Sequence, residues 1–123
     1  MVELKLGLKG TITTTVGDSD LASALGSGDV PVLGTPRMIA LAEAATVAAV
    51  AGCLEEGRTS VGTHVDMRHL APSPKGRSVT AMAELTAIDG KLLTFRIEVH
   101  DGDRLVGDGI VERAIVNRER FIG

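Results

Sequence analysis

A single carboxylate interrupts the most apolar stretch of the chain, GTPRMIALAEAATVAAVAGCLEEG at residues 34–57. Glu43 is flanked by alanines, and no basic residue lies three or four positions away on either side. A charged group in apolar surroundings is costly unless it is paired or reaches solvent, and partial desolvation makes a carboxylate more basic. Glu43 is therefore a candidate general base or nucleophile. A solvent-exposed carboxylate, or an ion pair with an arginine from a strand, is the alternative.

Thr35 stands at the start of the same stretch, directly before Pro36, and is predicted to be the N-cap of a helix. A hydroxyl at that position lies beside backbone N–H groups that favour developing negative charge. A hydroxyl nucleophile also needs a base nearby. Thr35 is thus a candidate either for capping alone or for nucleophilic chemistry.

The three histidines are His64, His69 and His100. His64 and His69 are separated by an odd number of residues within one predicted strand, so a regular strand directs them to opposite faces. At most one of the two is then expected to line a pocket. No pair of histidines has the spacing of metal ligands, and Cys53 is the only cysteine, so neither a metal site nor a cofactor is predicted. Cys53 is expected to be a small buried residue of the helix.

These residues belong to a chain of 123 residues in which 44% are hydrophobic and only two, both Phe, are aromatic. The length suits one domain, assigned to residues 1–123, with a core of aliphatic side chains and Met. A net charge of −3, with both signs scattered, argues against nucleic-acid binding. The N-terminus lacks the apolar segment of a signal peptide, and the stretch 38–54 is too short for a membrane span. A cytoplasmic location is therefore expected.

Hydrophobic periodicity divides the chain into a strand, a loop, a long helix and four further strands. Alternation over residues 2–16 predicts a strand, and the Gly-, Ser- and Asp-rich stretch 17–34 predicts a loop with one helical turn at 19–25. The apolar helix follows and is expected to end at Gly57. The remaining strands are predicted within 59–74, 77–90, 91–102 and 104–121. Asp-Gly pairs at 89–90 and 101–102 predict tight turns between the last three.

A sheet that curls around one apolar helix satisfies this order of elements. The predicted fold is the hotdog fold, of the α+β class, in which an antiparallel five-stranded sheet is wrapped around one long central helix. Five strands cover only part of a helix that is apolar on all sides. A second subunit is therefore expected to cover the rest, with two sheets joined edge to edge in a homodimer.

From about residue 34 to residue 121, the chain resembles the fluoroacetyl-CoA thioesterase family of hotdog thioesterases. The resemblance rests on the spacing of Thr35 and Glu43, the pair Gly62-Thr63, and His69 ahead of a Pro-containing turn. The motifs "HDG" at 100–102 and "ERAIVNRERF" at 112–121 add to it.

The resemblance implies an acyl-CoA substrate, no cofactor, and hydrolysis of a short-chain acyl thioester. Carried over position by position, it implies that Thr35, Glu43 and His69 act as a catalytic triad. It also implies that the backbone N–H of Gly62 polarises the thioester carbonyl. Two mechanisms stay open. Either His69 activates Thr35 to form an acyl-enzyme that Glu43 helps to hydrolyse, or Glu43 acts directly, as base for water or as nucleophile.

The segment before the helix departs from the fluoroacetyl-specific pattern. That pattern has phenylalanines forming an apolar lid over the acyl group, whereas residues 26–34 contain none. The apolar residues available there are Val30, Val32 and Leu33, and we expect Val32 and Leu33 to contact the substrate. Selectivity for fluoroacetate is therefore not implied by the resemblance.

Two other functions compete with thioester hydrolysis. One is a non-catalytic hotdog domain that binds an acyl thioester or a small apolar ligand. The other is a hydratase acting on enoyl thioesters with an Asp/His pair, which is disfavoured because Asp66 precedes His69 by only three residues.

Thr35 and Glu43 are eight positions apart, which corresponds to about 12 Å along a straight helix. Both side chains cannot then touch one carbonyl from the same subunit. Two antiparallel copies of the helix would remove the difficulty, so an active site shared between subunits is expected.

Overall fold

The computed structural model of the protein describes residues 2–123. Within these residues, five strands form one sheet: β1 (Lys9–Thr15), β2 (Arg58–His69), β3 (Ser78–Asp89), β4 (Leu92–Asp101) and β5 (Arg104–Asn117). The helices are α1 (Ala22–Leu25), α2 (Thr35–Ala49) and α3 (Arg118–Ile122), with a 3₁₀ turn at Asp18–Asp20. The predicted α+β class is confirmed.

The strands are ordered β1-β3-β4-β5-β2, and every neighbouring pair is antiparallel. β3, β4 and β5 form the predicted meander, and both turns contain the predicted Asp-Gly pairs. Gly90 and Gly102 have φ values of 60° and 61°, which other residues adopt only with strain. β2 and β1 are the two edges of the sheet, so one long side of β2 is unpaired in this chain.

α2 lies across one face of the sheet, because alternate residues of the central strands are apolar and buried beneath it. β3 contributes Val79, Ala81, Ala83 and Leu85, and β4 contributes Leu93, Phe95, Ile97 and Val99. The buried residues of α2 are Met38, Leu41, Ala42, Ala45, Thr46 and Ala49. One sheet packed around one helix is the predicted hotdog fold.

The alanine-rich side of α2 allows the helix backbone to touch β1. A Cβ added at Gly10 of β1 would collide with backbone atoms of Ala45 and Ala49. Small residues on both surfaces therefore set the distance between this helix and the sheet.

α2 is shorter than predicted, since it ends at Ala49 and not at Gly57. Val50 is the C-cap, and Gly52 takes a left-handed φ of 78°, so the backbone turns away there. Cys53 is buried as predicted, but it lies in this turn and not on the helix. The prediction failed because the residues after the turn are also apolar, so the sequence pattern shows no break.

Three predicted strands are also shorter than expected, and the one predicted within 59–74 ends at His69. Residues 2–8 precede β1, and Gly7 at a φ of 92° interrupts the extended backbone there. Residues 118–122 form α3, because the Asn117 side chain accepts a hydrogen bond from the Arg120 backbone N–H and caps a helix.

One side of α2 has no cover among residues 2–123. Val47 is 51% exposed and Ala40 is also exposed, and the groove beside Val47 is shared with the first residues of β2. The second subunit expected from the sequence would cover this side, and it stays a prediction. Across residues 2–123, no helix combines the length and apolarity needed to cross a membrane.

Candidate active site

Thr35 and His69 are hydrogen-bonded at one end of the sheet. Thr35 begins α2 and His69 ends β2, and the Thr35 Oγ1 lies 2.8 Å from the His69 Nδ1. The predicted N-cap role of Thr35 is wrong, because Gly34 takes that position and Thr35 is the first helical residue. Gly34 is packed tightly, since a Cβ there would lie 2.8 Å from the Leu25 Cδ1 and 3.1 Å from the Ala22 Cα. The Thr35 hydroxyl is bonded to the His69 imidazole and does not cap the helix backbone.

His69 is half-buried, and this burial lowers its pKa, while the backbone of Ala71 nearby offsets part of the shift. Its Nε2 is buried without a well-formed hydrogen bond in the described chain. In the neutral Nε2–H tautomer, Nδ1 accepts the hydrogen of the Thr35 hydroxyl, which is the arrangement of a general base and its nucleophile. Of the two histidines on β2, only His69 lines the cleft that contains Thr35.

The Thr35–His69 pair lines an open cleft of about 400 Å³. Val32 and Leu33, which precede the helix, form part of its apolar wall. The rest of the wall comes from two loop segments, 27–30 and 70–72, and from Ala22. An apolar cleft with a few convergent polar groups is the usual form of a small-molecule site.

Backbone and ionic contacts hold the cleft wall against α2. The Leu33 N–H donates to the Ser73 carbonyl at 2.8 Å, which ties the segment before the helix to the segment after β2. The Arg37 Nε donates to the Asp20 Oδ1 at 2.7 Å, and the Gly17 N–H donates to the other Asp20 oxygen at 2.8 Å. The Gly17 hydrogen bond is the main reason why the pKa of Asp20 is lowered, with Arg37 adding to the effect. The loop is thereby fixed to the first turn of α2.

Glu43 lies farther along α2, with 38% of its side chain exposed. Its Oε2 is 3.6 Å from the Nη1 of Arg113, a β5 residue whose side chain is only 8% exposed. An ion pair with a strand arginine was the alternative left open for Glu43, and this pair is present. A Cβ at Gly62 of β2 would lie only 2.6 Å from the same Oε2, so glycine leaves room for the carboxylate.

Arg113 is the residue of this site that the sequence did not indicate. Its Nε donates to the Ser60 hydroxyl and its Nη2 to the Ser60 carbonyl, both at 2.9 Å. Burial lowers the pKa of Arg113, and the Glu43 carboxylate opposes that shift. The guanidinium therefore has a fixed position from which it can orient Glu43.

The structure thus brings the candidate residues together in two groups and not in one. Thr35 and His69 share the cleft with Val32 and Leu33, whereas Glu43 contacts Gly62 and Arg113. Among residues 2–123, no hydrogen bond or ion pair joins the two groups. Their separation follows from the helix, which places Thr35 and Glu43 about 12 Å apart along its axis.

A larger groove, of about 560 Å³, lies on the outer face of the sheet. Most of its charged side chains are paired, with Arg68 on Asp108 at 3.0 Å and Arg96 on both Glu98 and the neighbouring Glu84. The groove contains neither a histidine nor a candidate nucleophile. It is a solvated outer surface, and the smaller cleft remains the candidate site.

The sequence model of the fluoroacetyl-CoA-specific thioesterase family, FlK, matches residues 16–119. The fluoroacetyl-CoA thioesterase of Streptantibioticus cattleyicolor is 41% identical over 90 residues, which are 73% of this chain and 65% of that protein. The chain thus matches slightly less than two thirds of that relative's length.

Solved structures agree with the sequence matches. The structure of the fluoroacetyl-CoA thioesterase FlK superposes with a TM-score of 0.91 at 33% identity, covering 98% of this chain and 94% of that one. A Thermus thermophilus hypothetical protein, described as a thioesterase superfamily member, superposes with a TM-score of 0.90 at 27% identity, covering 99% and 90%. The fold is that of the hotdog thioesterases. More specifically, the chain belongs to the fluoroacetyl-CoA-specific thioesterase family.

Proposed function

We propose that the protein hydrolyses a short-chain acyl-CoA thioester in the cleft that contains Thr35 and His69. The hydrogen bond between the Thr35 hydroxyl and the His69 Nδ1 is the observation that carries this proposal. The related thioesterase FlK has a solved variant in complex with fluoroacetate and CoA, which supports a CoA thioester as the substrate. The apolar wall from Val32 and Leu33 suits a small acyl group.

The Thr35–His69 contact favours the acyl-enzyme route over direct attack by Glu43. His69 takes the hydroxyl proton while the Thr35 oxygen attacks the thioester carbonyl carbon. The C–S bond then breaks, and the departing CoA sulfur receives the proton from His69. Water finally attacks the acyl-threonine ester while Glu43 takes a proton from it. The bond between the acyl carbon and the Thr35 oxygen then breaks, and the proton passes from Glu43 to that oxygen, which releases the acid and restores the hydroxyl.

Glu43 enters this scheme from a second copy of the chain. The uncovered side of α2 and the unpaired edge of β2 lie on one side of the molecule, which suits an edge-to-edge homodimer. Two antiparallel copies of α2 bring Glu43 and Gly62 of the partner subunit to Thr35 and His69. The Gly62 N–H then polarises the carbonyl, and Arg113 holds the Glu43 carboxylate in position.

Release of free thiol from acetyl-CoA and butyryl-CoA tests this function. A thioesterase releases thiol from both, and Thr35→Ala should abolish the release. A hydratase would instead consume the absorbance of an enoyl-CoA without releasing thiol. A non-catalytic binding domain would do neither. Purified protein that binds acyl-CoA but releases no thiol would show that the binding alternative is correct.

The pH dependence of kcat/KM should reflect the environment of His69. Only the neutral imidazole accepts a proton, and burial lowers its pKa, so the base form persists to lower pH than in an exposed histidine. As the pH falls, kcat/KM should therefore decrease as His69 becomes protonated, with a midpoint below pH 6.5. A pH series of kcat/KM with acetyl-CoA measures this decrease, and a midpoint above 6.5 would contradict the role.

Gly62→Ala is expected to reduce turnover while leaving the fold intact. The added Cβ would lie 2.6 Å from the Glu43 Oε2, so the carboxylate must move, whereas the backbone need not. We expect kcat to fall at least about tenfold, the lower range for a misplaced acid–base group. Gly17→Ala is the matched control, since its Cβ meets only an ordinary contact at 3.6 Å. Equal kcat values for the two variants would show that Gly62 has no part in the reaction.

The protein should discriminate poorly between acetyl-CoA and fluoroacetyl-CoA. Residues 26–34 contain no phenylalanine, and the cleft wall near Val30 is open. One missing apolar contact changes discrimination by only about 10- to 200-fold. The ratio of the two kcat/KM values measures this directly. A preference for fluoroacetyl-CoA of several thousandfold would mean that another feature performs the task of the lid.

A further inference from the structure

A second cleft, of about 430 Å³, lies at the end of the sheet opposite to His69. It is formed where β2 begins, where β5 passes into α3, and where β3 turns into β4. Three cationic side chains line it, from Arg58, Lys91 and Arg120, together with Phe121 and the end of β5. We call this feature the basic cleft.

The positive charge of the basic cleft is mostly uncompensated. Within residues 2–123, Lys91 and Arg120 have no carboxylate within 4.0 Å. Arg58 reaches Glu55 only at 3.7 Å, and 73% of that glutamate side chain is exposed, so the contact is weak. Glu3 and Glu55 line the adjoining cavity, which shares Arg58 and Lys91. The cleft itself contains no acidic residue, although the chain carries a net charge of −3.

Phe121 gives the basic cleft an exposed aromatic surface. It is one of only two phenylalanines, and the other, Phe95, is fully buried in the core. Phe121 is 60% exposed at the edge of the cleft, beside the cations. A flat aromatic ring next to positive charge is the combination that binds a base and its phosphates.

The proposed dimer brings this cleft to the acyl site of the other subunit. Within one chain, the eleven residue steps from Arg58 to His69 along β2 cover roughly 36 Å. In the proposed dimer, the β2 edges of the two subunits run antiparallel, with Gly62 of the partner subunit opposite His69. Four residues farther along these edges, Arg58 of the partner subunit then lies opposite Ser73. Residues 70–72, just before Ser73, line the mouth of the acyl cleft.

We propose that the basic cleft binds the phosphorylated nucleotide end of the CoA thioester whose acyl group occupies the partner subunit's cleft. Lys91, Arg120 and Arg58 contact the phosphates, and the adenine stacks on Phe121. This inference rests on the proposed function and on its shared-site dimer. The end of β5 and α3 thereby take part in binding the nucleotide, which the residues of the acyl site do not contact.

The test compares acetyl-CoA with acetyl-pantetheine, which carries the same thioester without the nucleotide. In Lys91→Gln/Arg120→Gln, the KM for acetyl-CoA should rise at least about tenfold, since each charged hydrogen bond lost has about that effect. The kcat, and both parameters for acetyl-pantetheine, should stay unchanged. Lys5→Gln/Lys9→Gln, which removes two cations before and within β1, is the matched control. An unchanged KM for acetyl-CoA, or an equal change for both substrates, would overturn the proposal.

Direct binding separates this proposal from the proposed activity. Adenosine 3′,5′-bisphosphate should bind the wild type and should bind Lys91→Gln/Arg120→Gln at least about tenfold more weakly, even if no thioester is hydrolysed. Equal affinities would refute the basic cleft as the nucleotide site.

Mixed dimers test the crossing between subunits. In a dimer of Thr35→Ala with Lys91→Gln/Arg120→Gln, the one active Thr35 faces the intact basic cleft of its partner, so the KM should be that of the wild type. A raised KM in this mixed dimer would place the nucleotide on the same subunit and refute the crossing.

Discussion

Glu43→Gln is expected to lower kcat by at least about a hundredfold, the usual scale for an acid–base group. The amide keeps the shape of the side chain but can neither accept a proton from water nor act as a nucleophile. Steady-state thiol release from acetyl-CoA measures the loss. Near-normal turnover would remove Glu43 from the mechanism.

The same substitution should also lower stability modestly. The sequence alone suggests that removing an isolated carboxylate leaves folding intact or improves it. The ion pair with Arg113 reverses this expectation, because the buried guanidinium loses its counter-charge and keeps only Ser60. The effect stays small because Glu43 is partly exposed.

Glu84→Gln is the matched control, because Glu84 is also a carboxylate paired with an arginine, Arg96, on the outer face of the sheet. It should keep full turnover, and a denaturant titration should show a smaller loss of stability than in the Glu43 variant, because Arg96 is exposed and keeps Glu98 as a partner. A Glu84 variant as inactive as the Glu43 variant would mean that the loss comes from weakened folding.

Mixing two inactive variants, Thr35→Ala and Glu43→Gln, is expected to restore activity after subunit exchange. In the shared-site model, one site of each mixed dimer contains both defects and the other contains neither. The mixed dimer should therefore reach about half of the wild-type turnover, as two independent sites would give. Native mass spectrometry gives the fraction of mixed dimers, and thiol release gives their activity.

A mixture of Thr35→Ala with His69→Ala provides the control for this experiment. Thr35 and His69 are hydrogen-bonded within one chain, so each site of that mixed dimer keeps one defect. This mixture should stay inactive. If Thr35→Ala and Glu43→Gln exchange subunits and also remain inactive, the shared site is wrong.

The sheet could be predicted from the sequence because its signals are local. Alternation over the last four strands and the Asp-Gly pairs at 89–90 and 101–102 fix strands and turns without knowledge of the rest of the fold. The end of α2 could not be predicted in this way. Apolar residues continue past Gly52 to residue 54, and only the tertiary structure shows that the residues after Gly52 pack as a turn.

The geometry of the candidate site could be predicted only in part, for the same reason. Thr35 and Glu43 could be found because their neighbours in sequence make them unusual. The capping rule predicted Thr35 as the N-cap, but the helix starts one residue earlier. Packing against Ala22 selects Gly34 as the N-cap. Arg113 lies seventy residues from Glu43 along the chain. It falls within the motif at 112–121, but nothing in that motif sets it apart from Arg118 and Arg120 or pairs it with Glu43.

The backbone contact between β1 and α2 has a consequence for which positions of this chain tolerate mutation. A larger residue at Gly10 cannot be accommodated by a rotamer change, because the atoms it would meet are helix backbone at Ala45 and Ala49. The helix itself would have to lift, and it would lift at the half that carries Glu43 and not at the end that carries Thr35. Sensitivity to mutation should therefore not decline with distance from the cleft, and a remote glycine can be as intolerant as a residue that touches substrate.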